Sequence, residues 1–359
     1  MTFIQTLVDK SRFIRVAFMF MVAAGVLLAG FARQASAVED EYLIEASSQI
    51  FGPLPETPVF KKDNPGNPAK IQLGKMLYFD TRLSKSGVFS CNSCHNLATA
   101  GVDNEPLSTG HKWQAGGRNA PTVLNAALHI SQFWDGRAED VEEQAMMPIM
   151  NPVEMAADPD LVVQRLESIP EYVALFEKAF AGSEKPLTFE NAAKAIAVFE
   201  RTLITPSRFD DFMKGDMKAL TDDEKAGLEL FISTGCPICH SGPTVGGKVY
   251  QRFGVLKAPK FLKDKGRFEV TGRERDMNVL KVPSLRNVTR TYPYFHDGSE
   301  WSLEHAVWTM AQVQLGVSLD DKQLKLIVTF LSALEGRGVD ITLPALPPST
   351  DSTPRPDLD

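Results

Sequence analysis

The sequence predicts a mainly α-helical protein built as two related units, and three observations carry that expectation. Apolar residues recur at helical spacing through most of the chain, one short cysteine motif occurs twice, and the residues that follow each copy repeat one another. A chain of 359 residues with 43% hydrophobic side chains has room for two domains of ordinary size and enough apolar surface to give each a core. That composition excludes a disordered chain, a collagen and a polytopic membrane protein. Its 38 Lys and Arg against 45 Asp and Glu leave a net charge of -7, so nucleic acid would be repelled and is not expected as a partner.

The elements follow in order. Lys10, Arg12 and Arg15 precede an uncharged apolar run from Val16 to Ala32, and Ala35-Ser36-Ala37 supplies the small residues of a cleavage site, so residues 1–37 read as a secretory signal. The alternative is a retained anchor. The mature chain is expected to start at Val38 with a net charge of -10. A helical pattern at Gly74 to Phe79 precedes Cys91-Asn92-Ser93-Cys94-His95. Leu161, Leu166, Tyr172, Leu175, Phe176 and Phe180 mark one helical run; Ala193, Ile196, Ala197, Val198, Phe199 and Leu203 mark the next, which is expected to end at Pro206. That proline divides a first domain, 38–205, from a second, 206–337. Thr221 and Glu224 form a capping box that opens a helix through Gly227 and Phe231, just before Cys236-Pro237-Ile238-Cys239-His240. A helix is expected from Ser302 through Met310. The last is expected to open at Ser318 and run through Leu324, Ile327, Phe330 and Leu334 to Gly336, ahead of a Pro-rich tail, 338–359.

All 4 cysteines lie in the two motifs, which leaves none for a disulfide framework. In an exported chain, Cys-x-x-Cys with histidine directly after it is the signature of covalent c-type haem attachment: the thiols add to the haem vinyl groups and the histidine ligates iron. A zinc staple needs its ligands much closer than Cys94 and Cys236. Cys91, Cys94 and His95, then Cys236, Cys239 and His240, are therefore expected to hold two c-type haems in two cytochrome c-like helical domains.

The repeat extends further. Pro121-Thr122-Val123-Leu124-Asn125 leads to Phe133-Trp134-Asp135-Gly136, and Pro283-Ser284-Leu285-Arg286-Asn287 leads to Phe295-His296-Asp297-Gly298, with the same interval from Pro to Asp. Aligned on these turns, Pro148 falls where the second half has Met310. A haem with His and Met ligands is six-coordinate and of raised potential, whereas one without a strong distal ligand can bind a small oxidant. Met310 is thus the expected sixth ligand of the second haem, ahead of Met277, with a plain core role as its competitor. In the first half, Glu154 and Gln144 are candidates for moving a proton and steadying charge on a bound peroxide. His111 reads as a removable ligand on a loop or as an exposed histidine. Lys248 to Lys281 is strongly basic and reads either as a docking face for an acidic donor or as a solvated face.

These motifs together resemble the bacterial dihaem cytochrome c peroxidases, the family that also contains the MauG-type enzymes, over nearly all of the mature chain. The resemblance implies a periplasmic enzyme that reduces hydrogen peroxide to water with electrons from a small cytochrome c or cupredoxin. It makes His95 the proximal ligand of the peroxidatic haem, His111 a distal ligand that leaves on activation, and Glu154 and Gln144 the catalytic distal pair. Trp134 would lie between the haems, and His240 and Met310 would ligate the electron-transfer haem. Asn119, Thr291 and Pro293 would hold one calcium ion, and the protein would be a homodimer. MauG-like members carry Tyr where Met310 stands, which disfavours protein modification as the activity. The rival is a dihaem electron-transfer cytochrome without peroxidase turnover.

Overall fold

The computed structural model describes residues 39–258, 263–339 and 341–359. The expected signal segment and the start at Val38 lie outside the described residues, as does Lys260 of the basic stretch. The described chain is mainly helical, as expected. None of its helices is long and apolar enough to cross a membrane.

The first core forms around a close pair of helices. Pro68–Phe79 begins at Asn67, whose side chain accepts the Lys70 N–H, and at Pro68, whose missing N–H is not needed in a first turn. The helix lies against Phe189–Glu200 so tightly that a Cβ at Gly74 would sit 1.9 Å from the Ala195 carbonyl oxygen. Val141–Met150, Pro159–Glu167 and Pro170–Ala179 close this core around Leu73, Leu77, Tyr78, Tyr172 and Phe176. The second core also forms around a close pair of helices. Asp222–Thr234, with the expected Thr221–Glu224 capping box, packs on Asp321–Ser332, and a Cβ at Gly227 would sit 2.0 Å from the Leu326 carbonyl oxygen. Gly235, at φ +97°, then ends the helix directly before Cys236.

Several boundaries differ from the expectations, each for a physical reason. The run from Leu161 to Phe180 is two helices, because Pro170 has no N–H to continue the first and starts the second instead. The next helix stops at Glu200 rather than at Pro206, and the last spans Asp321–Ser332 rather than Ser318 to Gly336. Asn125 and Asn287 explain both early ends. Asn125 donates its backbone N–H to the Leu203 carbonyl and accepts the Thr205 N–H on its side chain; Asn287 does the same with Leu334 and Gly336. Each asparagine pulls the chain out of its helix into an extended clamp. At the start of the last helix, Asp320 and Gln323 cap each other, so nucleation falls two residues after Ser318.

The basic stretch contains an unexpected antiparallel ribbon, Tyr250–Arg252 on Val279–Lys281, too short for any alternation to announce it. Its charges are partly committed. Lys281 is buried, Arg267 lies over the Tyr250 ring and bonds the Asp135 carbonyl, and Arg273 pairs with Asp276.

The two ends of the chain cross over. Residues 39–54 pack on the second core through Leu43 and Phe51, with Phe51 edge-on to Phe209 at 5.4 Å and the Leu54 N–H on Asp210. The tail returns to the first half. Fully buried Arg165 donates to the carbonyls of Arg82, Ser84 and Lys85 and also to those of Pro354 and Arg355.

Candidate functional site: two cavities joined at Trp134

Each Cys-x-x-Cys-His motif forms a tight turn that presents its histidine to a cavity. Cys91–Cys94 is one helical turn closed by Ser90 and Ser93, and the His95 N–H returns to the Cys91 carbonyl at 2.9 Å. Tyr78, buried in the first core, donates its hydroxyl to the His95 carbonyl at 2.6 Å. In the second half Cys236–Ile238 turns likewise and the His240 N–H meets the Cys236 carbonyl at 3.0 Å. Because the two cysteine pairs line separate cavities, they cannot form one four-ligand zinc set.

Electrostatics suits these groups to haem. Burial pushes both imidazoles below their ordinary pKa, His240 to about 4, and the carbonyls of Pro121 and Pro283 oppose this at matching places in the two halves. The neutral ring is the form that ligates iron. Nδ1 of each histidine is buried with no aligned acceptor. Burial also pushes the thiols up, Cys94 to about 11 and Cys236 to about 12, so without a bound partner they stay protonated. The residues of both cavities suit haem: each has paired thiols and a histidine kept neutral by burial among its walls.

The first cavity, about 900 Å³, has Gln144, Pro148 and Glu154 among its walls along with His95. Gln144 and Pro148 are one turn apart on Val141–Met150 and so share a face. Asn151 caps that helix and donates to Glu154 Oε1 at 2.7 Å. Burial raises the Glu154 pKa, opposed by this hydrogen bond and by the Arg137 charge. His111 is also buried, but its ring is not part of the cavity wall. Its loop is fixed by an N–H bond to the Glu154 carbonyl at 2.7 Å, and at Gly110 a Cβ would strike the Val153 carbonyl oxygen at 2.1 Å.

The second cavity, about 230 Å³, is lined by His240 and, from the Leu303–Met310 helix, by Met310. Met277 is absent from its walls. Asn119, Thr291 and Pro293 all line this cavity, and Asn119 donates its side-chain amide to the Glu105 carbonyl at 2.9 Å. Trp134 lines both cavities. The left-handed backbone of Phe133, at φ +64°, turns the chain there, and the indole N–H is held on the Asn119 carbonyl at 2.9 Å.

Four residues that sequence reasoning missed belong to these walls. Glu200 lines the first cavity with its pKa pushed to about 8 by burial and the Glu142 charge. Arg118 joins the halves by pairing with Asp135, Asp264 and Glu269. His129 and Lys281 line the second cavity. Only Lys281 carried a signal, as a lone cation between Leu280 and Val282 in an apolar strand.

The comparisons agree with this geometry. The family model described as di-haem cytochrome c peroxidase matches residues 68–218. Cytochrome c551 peroxidase of Pseudomonas aeruginosa is 47% identical over 344 residues, covering 94% of this chain and 98% of that protein. Its namesake in Nitrosomonas europaea is 51% identical over 298 residues, covering 82% of this chain and 88% of that protein. A crystal structure of a MauG-like protein associated with microbial copper homeostasis matches with a TM-score of 0.71 at 27% identity, covering 79% of this chain and 95% of that one. With two histidine-bearing cavities and relatives of this extent, the chain belongs to the di-haem cytochrome c peroxidase family, whose members are oxidoreductases acting on hydrogen peroxide.

Proposed function

We propose that this peroxidase works in the periplasm, reduces hydrogen peroxide at the first cavity, and takes electrons at the second from a small cytochrome c or cupredoxin. The observation that carries this division is the contrast between the distal walls. The His95 cavity has Gln144 and the carboxylate of Glu154 in its walls and Pro148 at the aligned place of Met310, with Met155 as its thioether, whereas the His240 cavity has Met310 and no carboxylate among its described lining residues.

The cofactors in this reading are two c-type haems, one bonded through Cys91 and Cys94 with His95 as proximal ligand, the other through Cys236 and Cys239 with His240 and Met310. Such haems supply an open iron site for peroxide on one side and a reversible one-electron store on the other. The residues do the rest. Glu154 accepts the proton of the nearer peroxide oxygen and returns it to the departing one, while Gln144 steadies the charge that develops between them. Two electrons and two protons convert one peroxide to two waters. Trp134, in the wall of both cavities, shortens the path for the electron from the second site. The His111 ring lies outside the first cavity wall and must swing to reach it, and this reading makes it the ligand that leaves on activation.

The same reading treats the halves as duplicated cytochrome c-like domains divided near Pro206. It is supported by the Gly74 and Gly227 contacts, the Asn125 and Asn287 clamps, and the left-handed Phe133 and Phe295. It also includes export by residues 1–37, a calcium ion at Asn119, Thr291 and Pro293, and a homodimer.

The deciding experiment follows peroxide consumption by the dihaem protein, fully oxidised and then half-reduced, with reduced small cytochrome c as donor. Turnover only after half-reduction supports gating by His111. The absence of turnover in both states, with both haems low-spin, would make the chain an electron carrier and remove Glu154 and Gln144 from catalysis.

A further inference from the structure

We propose that Lys281 and His129 form the seat for a propionate carboxylate of the second haem. The inference rests on a haem filling the second cavity, and it concerns two residues outside the catalytic machinery described above.

Lys281 is 6% exposed, yet it lines that cavity. Its ammonium donates to the Ser131 carbonyl at 2.9 Å and to Nδ1 of His129 at 3.3 Å. An ammonium has three N–H bonds and no acceptor, so one donor remains unused and His129 Nδ1 must be the accepting nitrogen. The imidazole proton therefore sits on Nε2. That nitrogen is buried and has no hydrogen-bond partner among the described residues, although His129 also lines the cavity. Two donors, one of them charged, thus stand unanswered in the wall of one cavity.

The missing partner must be an anion. Asp135 is the carboxylate whose charge reaches Lys281, but it is taken by Arg118 at 2.5 Å and Arg137 at 3.0 Å. Burial pulls the Lys281 pKa down to about 8 against the opposing charge of Asp135, which leaves the ammonium mostly charged at neutral pH with no carboxylate bonded to it among the described residues. A planar carboxylate offers one oxygen to each donor. The placement is enforced rather than incidental: at Gly247 a Cβ would lie 2.3 Å from His129 Cδ2, and the Lys281 backbone N–H is fixed to the Trp134 carbonyl at 2.7 Å. The seat is thereby tied to Trp134, one of the residues that line both cavities.

The test is an equilibrium redox titration of the full dihaem chain, read from the visible spectrum, for wild type, Lys281→Met, Lys281→Arg and His129→Phe. Removing the cation opposes reduction. Lys281→Met should lower the ferrous-to-ferric ratio of the second haem about tenfold at fixed poise, ~59 mV for one electron, with the first haem unmoved. Lys281→Arg should restore most of the shift. Resonance Raman propionate-bending modes of the ferrous second haem should move in Lys281→Met and His129→Phe, a change that a merely structural role would not produce. His129→Phe keeps the Raman arm decisive even where Lys281→Met folds poorly. Unchanged potential and unchanged propionate modes in variants that retain two haems would overturn the proposal. So would a wild-type midpoint that shifts on adding acetate, since the seat would then be open to a free carboxylate. A haemochrome content below two per wild-type chain would instead sink the dihaem reading beneath it.

Discussion

Trp134 and His296, which occupy matching places in the two Phe-x-Asp-Gly turns, meet edge to face with ring centres 6.3 Å apart. The Asn119 backbone locks the contact from both sides, donating its N–H to the His296 carbonyl at 2.8 Å and accepting the Trp134 indole N–H. The halves therefore touch through equivalent residues at the point where the cavities adjoin.

Replacing Trp134 by Ala removes the shared wall and should slow oxidation of the reduced second site by peroxide about tenfold or more, ~1.4 kcal/mol in barrier. Trp134→Phe, which loses only the bond to Asn119, should cost less. Stopped-flow spectra of the half-reduced protein measure both. Equal rates in all three proteins would mean that electrons bypass this ring.

Glu154→Gln keeps the size and the Asn151 contact but cannot accept a proton. The expected loss in kcat/KM for peroxide is about 10²–10⁴-fold with both haems retained. Burial raises the Glu154 pKa, and the base must be ionised, so wild-type kcat/KM should fall with decreasing pH through a point above ~4.3, the ordinary glutamate value. The variant should lack that limb. A wild-type profile flat down to that point would show that another group moves the proton.

Glu200 gives a prediction about stability. Its folded pKa, about 8, lies above the unfolded value, so the folded chain binds the extra proton. This contribution is complete below the unfolded pKa and is lost as pH rises through about 8. Thermal unfolding should therefore weaken between neutral and alkaline pH, and Glu200→Gln should flatten that decline. A decline of the same steepness in the variant would assign it to other groups.

Gly74→Ala and Gly227→Ala each place a methyl group against a facing carbonyl oxygen, at 1.9 and 2.0 Å. Separating such helices should cost about 1–3 kcal/mol at each site. Denaturant melts of the single variants check this, and a loss under half that range at either would show that the helix pair can slide apart cheaply.

Much of the site was legible in the residues because its information is local. The two Cys-x-x-Cys-His turns are single-turn devices, and counting from the repeated Asp-Gly pairs was enough to set Pro148 in one cavity wall and Met310 in the other. The place of Trp134 between the cavities came from the family resemblance rather than from the count. What escaped depends on distant partners. His129 and Lys281 are joined across 152 residues, so neither reads as half of a pair. The seat of His111 rests on the Glu154 carbonyl, which lies outside its own loop. The helix ends moved because Asn125 and Asn287 reach across the fold, a force that no periodicity records.

The crossed chain ends bear on how the molecule is made. Residues 39–54, made before either core, can bury Leu43 and Phe51 only after the second half exists, while the carbonyls that satisfy Arg165 come from Pro354 and Arg355, behind that half. Neither core is complete when its own stretch has left the ribosome. The half that carries the first cavity is the earlier to emerge and the later to be sealed, so a chain cut at Pro206 should leave both cores short of the packing that the other piece supplies.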